Sequence, residues 1–242
     1  MKAVFTCGGT GGHINPALAV ARVLLERRPD SEILFVGAED GMEATLVPRE
    51  GFRLETLQIS SYMRSLKPSA IRHNVRAALS IRRALKKADR IIRDFQPDVI
   101  LGTGGYASYP MLHEGARLGI PTAVHESNAV PGLATKMVAD KVDRILVSFA
   151  DSRSAYRDPS RVIAVGMPVR EEFVFTRRAD ARRALGLDEK TPMIVSAWGS
   201  LGAREMNKKI AQFMKLECEQ DCWRHIHATG SFGWRWMPDY VK

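Results

Sequence analysis

The stretch Gly8-Gly9-Thr10-Gly11-Gly12-His13 constrains this chain more than any other. Lys2 to Cys7 before it reads as a short buried strand, and Ala17 to Leu25 after it as a nearly all-apolar helix. Asn15-Pro16 reads as a helix-start pair, a capping side chain followed by a ring preset for the first helical position. A strand, a glycine loop and a helix N-terminus in series let a ligand approach the backbone closely and meet unpaired N–H groups. A phosphate or a substrate hydroxyl suits such a gap. A Rossmann G-x-G-x-x-G would need glycine where Ile14 stands, and no Gly-Lys-Ser/Thr follows for a P-loop. His13 has two readings, a histidine that caps the helix or a general base at its start.

Further along, short apolar runs repeat: Glu32 to Val36, Arg53 to Ile59, Asp98 to Gly102, Thr122 to His125, Arg144 to Phe149 and Val162 to Val165. Helical stretches alternate with most of them, including Ser69 to Asp94, Tyr109 to Leu118 and Gly132 to Ala139. That alternation predicts an α/β fold with a doubly wound parallel sheet, whose ligands bind beyond the carboxyl ends of the strands. Gly102-Thr103-Gly104-Gly105 and His125-Glu126-Ser127-Asn128 fall at such ends. From Glu171 to Thr191 the chain reads as a charged linker with a small helix. A second βαβ unit then begins, with a strand at Pro192 to Ala197, the loop Gly199-Ser200-Leu201-Gly202, a helix to Glu217 and a strand at His225 to Thr229.

Charge is unevenly placed. The net charge of +9 equals what the segment Arg64 to Arg93 carries alone, with ten Lys/Arg and one acid. Ile71, Val75, Ala78, Ile81, Leu85, Ala88, Ile92 and Phe95 give that segment one apolar stripe. Its cationic face reads either as plain solvated surface or as a face for anionic membrane lipids, through Arg72, Arg76, Arg82, Arg83, Lys86 and Lys87. Tyr62 and Phe95 only bracket it, so the aromatic interleaving of a nucleic-acid surface is lacking and no nucleic-acid partner is expected. Three cysteines argue for a reducing compartment, and no apolar run is long enough to span a membrane. Cys218, Cys222, His225 and His227 can be drawn as a metal site, but their spacing does not match a zinc pattern, and no metal is expected.

Five ordered motifs carry a family resemblance: Gly8 to His13 with Pro16-Ala-Leu-Ala; Gly102 to Tyr106 with Pro110; His125 to Asn128 with Pro131-Gly-Leu; Gly166-Met-Pro-Val-Arg170; and Gly199 to Ala203. Together they closely resemble the bacterial peptidoglycan glycosyltransferases of the MurG family, glycosyltransferase family 28, over Met1 to about Thr229. The resemblance implies a GT-B-type architecture of two Rossmann-like domains, an acceptor domain at residues 1–168 and an incomplete UDP-GlcNAc-binding domain at 169–242. It implies inverting transfer of N-acetylglucosamine from UDP-GlcNAc to lipid I, giving lipid II for peptidoglycan, with no cofactor; the absence of Asp-x-Asp fits a metal-independent reaction. His13 would be the base. Thr10, Gly11, Gly12, Asn128, Arg170 and Ser200 match donor-contacting positions, and Gly104, Gly105, Tyr106 and Glu126 lie in loops that would face acceptor and diphosphate. The family further implies a peripheral place on the cytoplasmic face of the cell membrane, a role in cell-wall biogenesis, cell shape and division, and contact with other cell-wall synthesis proteins. Relatives continue beyond the position of Lys242, so an inactive fragment that binds membrane or lipid I is the alternative expectation. Phe232, Trp234, Trp236 and Tyr240 match no motif.

Overall fold

A computed structural model describes residues 1–59, 68–199, 202–220 and 223–241. The chain divides into two compact units, Met1–Val174 and Phe175–Lys242. In the first, the described residues form a seven-stranded sheet from β1 (Lys2–Thr6), β2 (Glu32–Ala38), β3 (Arg53–Leu57), β4 (Val99–Gly102), β5 (Thr122–Glu126), β6 (Arg144–Val147) and β7 (Val162–Ala164). The strand order is β3-β2-β1-β4-β5-β6-β7, and every pairing is parallel. Sequence order runs outward from β1 to β3 and then returns across the sheet to β4. The switch point therefore lies between β1 and β4, where Val4 pairs with Leu34 on one side and Ile100 on the other.

Period-two alternation feeds two cores from one sheet. Ala3, Phe5 and Phe35 pack with Ile14, Ala17, Leu18 and Ala21 of α1 (Gly11–Arg27) and Val47 of α2 (Glu43–Arg49). The Phe5 and Phe35 rings stack at 5.3 Å. Val4, Leu34, Val36, Ile100 and Ile145 face the other way, onto Ala84, Ala88, Ile91 and Ile92 of α3 (Pro68–Phe95) and Met111 and Leu112 of α4 (Ser108–Arg117). The expected doubly wound sheet is thus present, with α5 (Leu133–Val138) following β5.

Two local expectations are corrected. The first helix starts at Gly11, so Gly11 and Gly12 are its first turn and Pro16 is its sixth residue. Pro16 cannot donate to the Gly12 carbonyl, and this close to the N-terminus a helix tolerates that loss. The segment carrying α2 reads in sequence only as a connection, because Pro48 and a length of seven residues hide its periodicity.

The second unit opens after the short helix α6 (Glu172–Phe175) and contains α7 (Arg178–Ala184), β8 (Met193–Ala197), α8 (Arg204–Gln220), β9 (Arg224–Ala228), α9 (Gly230–Gly233) and α10 (Met237–Val241). Its described strands form one parallel pair, β8 with β9. Among its aromatics Trp234 is 72% exposed, while Met237 nearby is buried.

Candidate active site

The loops after β1 and β4 meet at the switch point, backbone against backbone. Gly105 has φ +80°, and a Cβ there would strike the Gly8 carbonyl oxygen. Gly104 has φ +100°, and its Cβ would lie 2.9 Å from the His13 ring. Side chains at these two positions would be strained, and one at Gly104 would also crowd the imidazole.

His13 stands in the first turn of α1, where no side chain caps the helix; Thr10 precedes it in an extended conformation. Its Nδ1 lies 3.0 Å from the Gly8 carbonyl oxygen and 3.4 Å from Thr10 Oγ1. A carbonyl oxygen can only accept, so Nδ1 carries a proton, and in the neutral ring the lone pair is on Nε2. Thr103 Oγ1 donates to the His13 carbonyl at 2.6 Å, tying the β4 loop to α1. The capping reading is thereby set aside: the ring bonds back to the loop and borders a cavity of about 280 Å³.

That cavity gathers six residues singled out from the sequence: His13, Gly104, Gly105, Tyr106, Glu126 and Asn128. Ile59, Ile81, Tyr109, Leu133 and Met137 supply an apolar wall that motif reasoning did not anticipate. By its spacing Ile81 belongs to the apolar stripe of α3, yet it lines the cavity, and among the described side chains of that helix Ala84, Ala88, Ile91 and Ile92 are the ones buried in the core. Burial and the nearby charges of Glu43 and Asp40 push the Tyr106 hydroxyl up, so it stays protonated.

Glu126 lines the cavity while both of its carboxylate oxygens are engaged within its own loop. Its Oε1 accepts the Asn128 N–H at 2.9 Å and Asn128 Nδ2 at 2.7 Å, and its Oε2 accepts the Gly132 N–H at 2.9 Å. Burial alone would raise this carboxyl; hydrogen bonds from Thr135, Asn128 and Gly132 outweigh it and hold the group below the usual carboxylate range. It braces the β5 loop and presents Asn128, which is exposed at the cavity. Next to it, His125 is buried with Nε2 3.0 Å from the Gly166 carbonyl, and burial pushes its imidazole down.

The remaining expected residues are not gathered there. Thr10, Gly11 and Gly12 sit beside His13 at the start of α1. Arg170 places its guanidinium 5.5 Å from the Phe173 ring centre. Ser200 lies outside the described residues. Arg82, Arg83, Lys86 and Lys87 are exposed along α3, while the side chains of Arg72 and Arg76 lie outside the described residues. The drawn metal cluster finds no support: Cys222 is outside the described residues, and no group of metal-ligating side chains occurs among the rest. His225 instead pairs with Glu217 at 2.6 Å and with Ser196 at 2.8 Å, and His227 contacts Ser196 at 2.8 Å.

Sequence reasoning missed Glu43. It is fully buried, and its oxygens accept the N–H groups of Ala38 at 2.7 Å and Gly9 at 3.1 Å. Gly37 and Gly41 flank it, and a Cβ on either would overlap its side chain. An acid set among glycines was the available signal. Burial, with a smaller contribution from the Glu43 charge, pushes the Cys7 thiol well up, which makes that cysteine inert.

Fold and site define a Rossmann-like α/β protein with a glycine-loop site and a histidine poised at a helix start. Residues 3–147 match the glycosyltransferase family 28 N-terminal domain, and the chain belongs to that family. It is 39% identical over 95% of its length to an Acetivibrio thermocellus protein named UDP-N-acetylglucosamine--N-acetylmuramyl-(pentapeptide) pyrophosphoryl-undecaprenol N-acetylglucosamine transferase. A protein of the same name from Caldanaerobacter subterraneus is 39% identical over the whole chain. The chain spans 61% and 65% of those two relatives. Among solved structures, Acinetobacter baumannii MurG aligns with TM-score 0.64 and 22% identity over 99% of this chain and 64% of its own. A Neisseria meningitidis UDP-GlcNAc 2-epimerase bound to UDP-GlcNAc aligns at 0.62 and 14%, covering all of this chain and 69% of its own. At such identities these structures speak for the shared fold.

Proposed function

We propose that this chain is the acceptor-side part, with the opening of the donor-side part, of an inverting and metal-independent transferase that moves N-acetylglucosamine from UDP-GlcNAc to lipid I, making lipid II for peptidoglycan. The observation that carries this reading is the His13 ring, its Nδ1–H held by the Gly8 carbonyl and its other nitrogen left as the basic one beside the cavity. In the proposed step Nε2 takes the proton of the acceptor sugar hydroxyl as that oxygen attacks the anomeric carbon of GlcNAc. The bond from that carbon to the diphosphate breaks, and UDP departs with the electron pair. The uncapped first turn of α1 at Gly11 and Gly12 offers N–H groups to a diphosphate, with Thr10, Asn128, Arg170 and Ser200 as further donor contacts. Gly104, Gly105 and Tyr106 border the acceptor. Residues 1–168 serve the acceptor and 169–242 open the nucleotide-sugar part.

The exposed cationic row on α3 supports a peripheral place on the cytoplasmic face of the cell membrane, against anionic lipids, where a lipid-linked acceptor lies. Among the described residues no helix is long and apolar enough to cross a membrane. Through lipid II the activity would feed cell-wall biogenesis, cell shape and division, beside other cell-wall synthesis proteins. The same cationic row favours a second reading, a lipid I-binding module without turnover.

Transfer of labelled GlcNAc to a soluble lipid I analogue separates the two. The transferase reading expects turnover by the chain and a loss of about 100-fold or more in His13→Ala. Undiminished turnover in the variant contradicts the role of His13, and no turnover by the unaltered chain rejects the transferase reading in favour of the binding module.

A further inference from the structure

His13 Nδ1 donates to the Gly8 carbonyl, and the N–H of that same peptide, on Gly9, donates to Glu43 Oε2 at 3.1 Å. The two ends of a peptide are conjugated, so a negative charge accepting at the N–H draws electron density onto the carbonyl oxygen. Glu43 reaches this position because three glycines make room for it: besides Gly37 and Gly41, a Cβ on Gly8 would lie 2.7 Å from Glu43 Oε1. Its second oxygen is fixed by the Ala38 N–H at the end of β2. The carboxylate is therefore buried, anchored at both oxygens, and separated from the imidazole by one peptide group.

We propose that Glu43 is a positioning residue for His13, acting through the Gly8–Gly9 peptide to hold the Nδ1–H tautomer, aim Nε2 at the cavity and support the positive charge when Nε2 takes up a proton. This rests on the reading of His13 as the base. It gives the imidazole the partner that a directly bonded carboxylate supplies in other histidine sites, with the peptide interposed. Among the described residues the other ionisable side chains lining the cavity are Tyr106 and Glu126, and the Thr10 hydroxyl lies 3.4 Å from Nδ1. Glu126 has both oxygens committed to its own loop, and Tyr106 is neutral, so Glu43 is the charge coupled to Nδ1.

The test is 15N and 1H NMR of the 242-residue chain labelled at histidine and glycine. In the unaltered protein the Gly9 amide proton shifts with the same midpoint as the His13 ring, since both bonds share one peptide. In Glu43→Gln the side-chain amide can accept from only one of the two N–H groups, and the charge is gone. The His13 midpoint then falls by at least about half a pH unit, with Nε2–H gaining population. Glu43→Asp keeps the charge and returns the midpoint toward the original. A carboxylate that only stiffens the loop would lower the unfolding midpoint of both variants and leave the His13 titration in place. A Gly9 amide that stays silent while His13 titrates overturns the proposal even where Glu43→Gln fails to fold, as does an unchanged His13 midpoint and tautomer in folded Glu43→Gln. None of these readouts needs turnover, so failure of the transferase reading is recognised separately.

Discussion

The chain contains the same local device twice, a strand running through a glycine loop into a long helix, in two different settings. In the first unit β1 is paired on both edges and covered on both faces, and Val4 and Phe5 are buried. In the second unit the described residues pair β8 with β9 alone, and Val195 and Ile226 stay 64% and 45% exposed. The device is written locally, in strand propensity, loop glycines and helix periodicity. Its burial is supplied by neighbours from elsewhere in the chain. A polar chain runs through the second unit from Glu217 by way of His225, Ser196 and His227 to Asn207, whose Nδ2 donates to the Thr229 carbonyl.

The largest effect expected from this contrast concerns charge. Reversing Arg82, Arg83, Lys86 and Lys87 to Glu removes the exposed row of the first unit, and at about 1 kcal/mol per basic residue affinity for anionic vesicles falls about 1,000-fold in a sedimentation assay. Reversing Arg177 and Arg178 of the second unit leaves most of it, and equal losses would erase the distinction. Packing comes next. Leu34→Ala, at a site 1% exposed, costs about 3 kcal/mol in urea unfolding followed by circular dichroism, whereas Val195→Ala costs under about 0.5. Comparable costs would mean that β8 is covered as β1 is.

The smallest effect is a pH slope. Burial lowers His125 in the folded first unit, so the folded state prefers the neutral ring and the unfolded chain binds protons more readily. Its stabilising contribution is complete above the ordinary histidine value of about 6.5 and is lost as pH falls below it. His125→Gln flattens the slope of stability against pH in that window; an unaltered slope assigns it to other groups.

What could be read in the sequence follows from how each element is stabilised. Strands of a parallel sheet covered on both faces are nearly continuous apolar runs, so the sheet was legible from Lys2 to Val165. Helix ends depend on single residues and read less well: Pro16 suggested a start that lies five residues earlier, and α2 was hidden by Pro48. The site was half legible. Glycines at strand ends and His13 announce it, because close backbone approach demands those residue types. Glu43 and Ile81 reach it only through the tertiary fold, one by filling space that three glycines vacate, the other by turning from the core stripe toward the cavity. Glu126 was found by motif, but its hydrogen bonds to Asn128 and Gly132 were not legible, since they are a matter of loop geometry.

The central claim is that the cavity between the β1, β4 and β5 loops is the acceptor site. Titrating the chain with a soluble lipid I analogue while following glycine and histidine NMR signals tests it most directly. The account predicts saturable shifts at Gly104, Gly105 and the His13 ring, with Gly199 and Gly202 of the second unit unmoved. Binding that leaves those first-unit signals in place, or no binding at all, would contradict it.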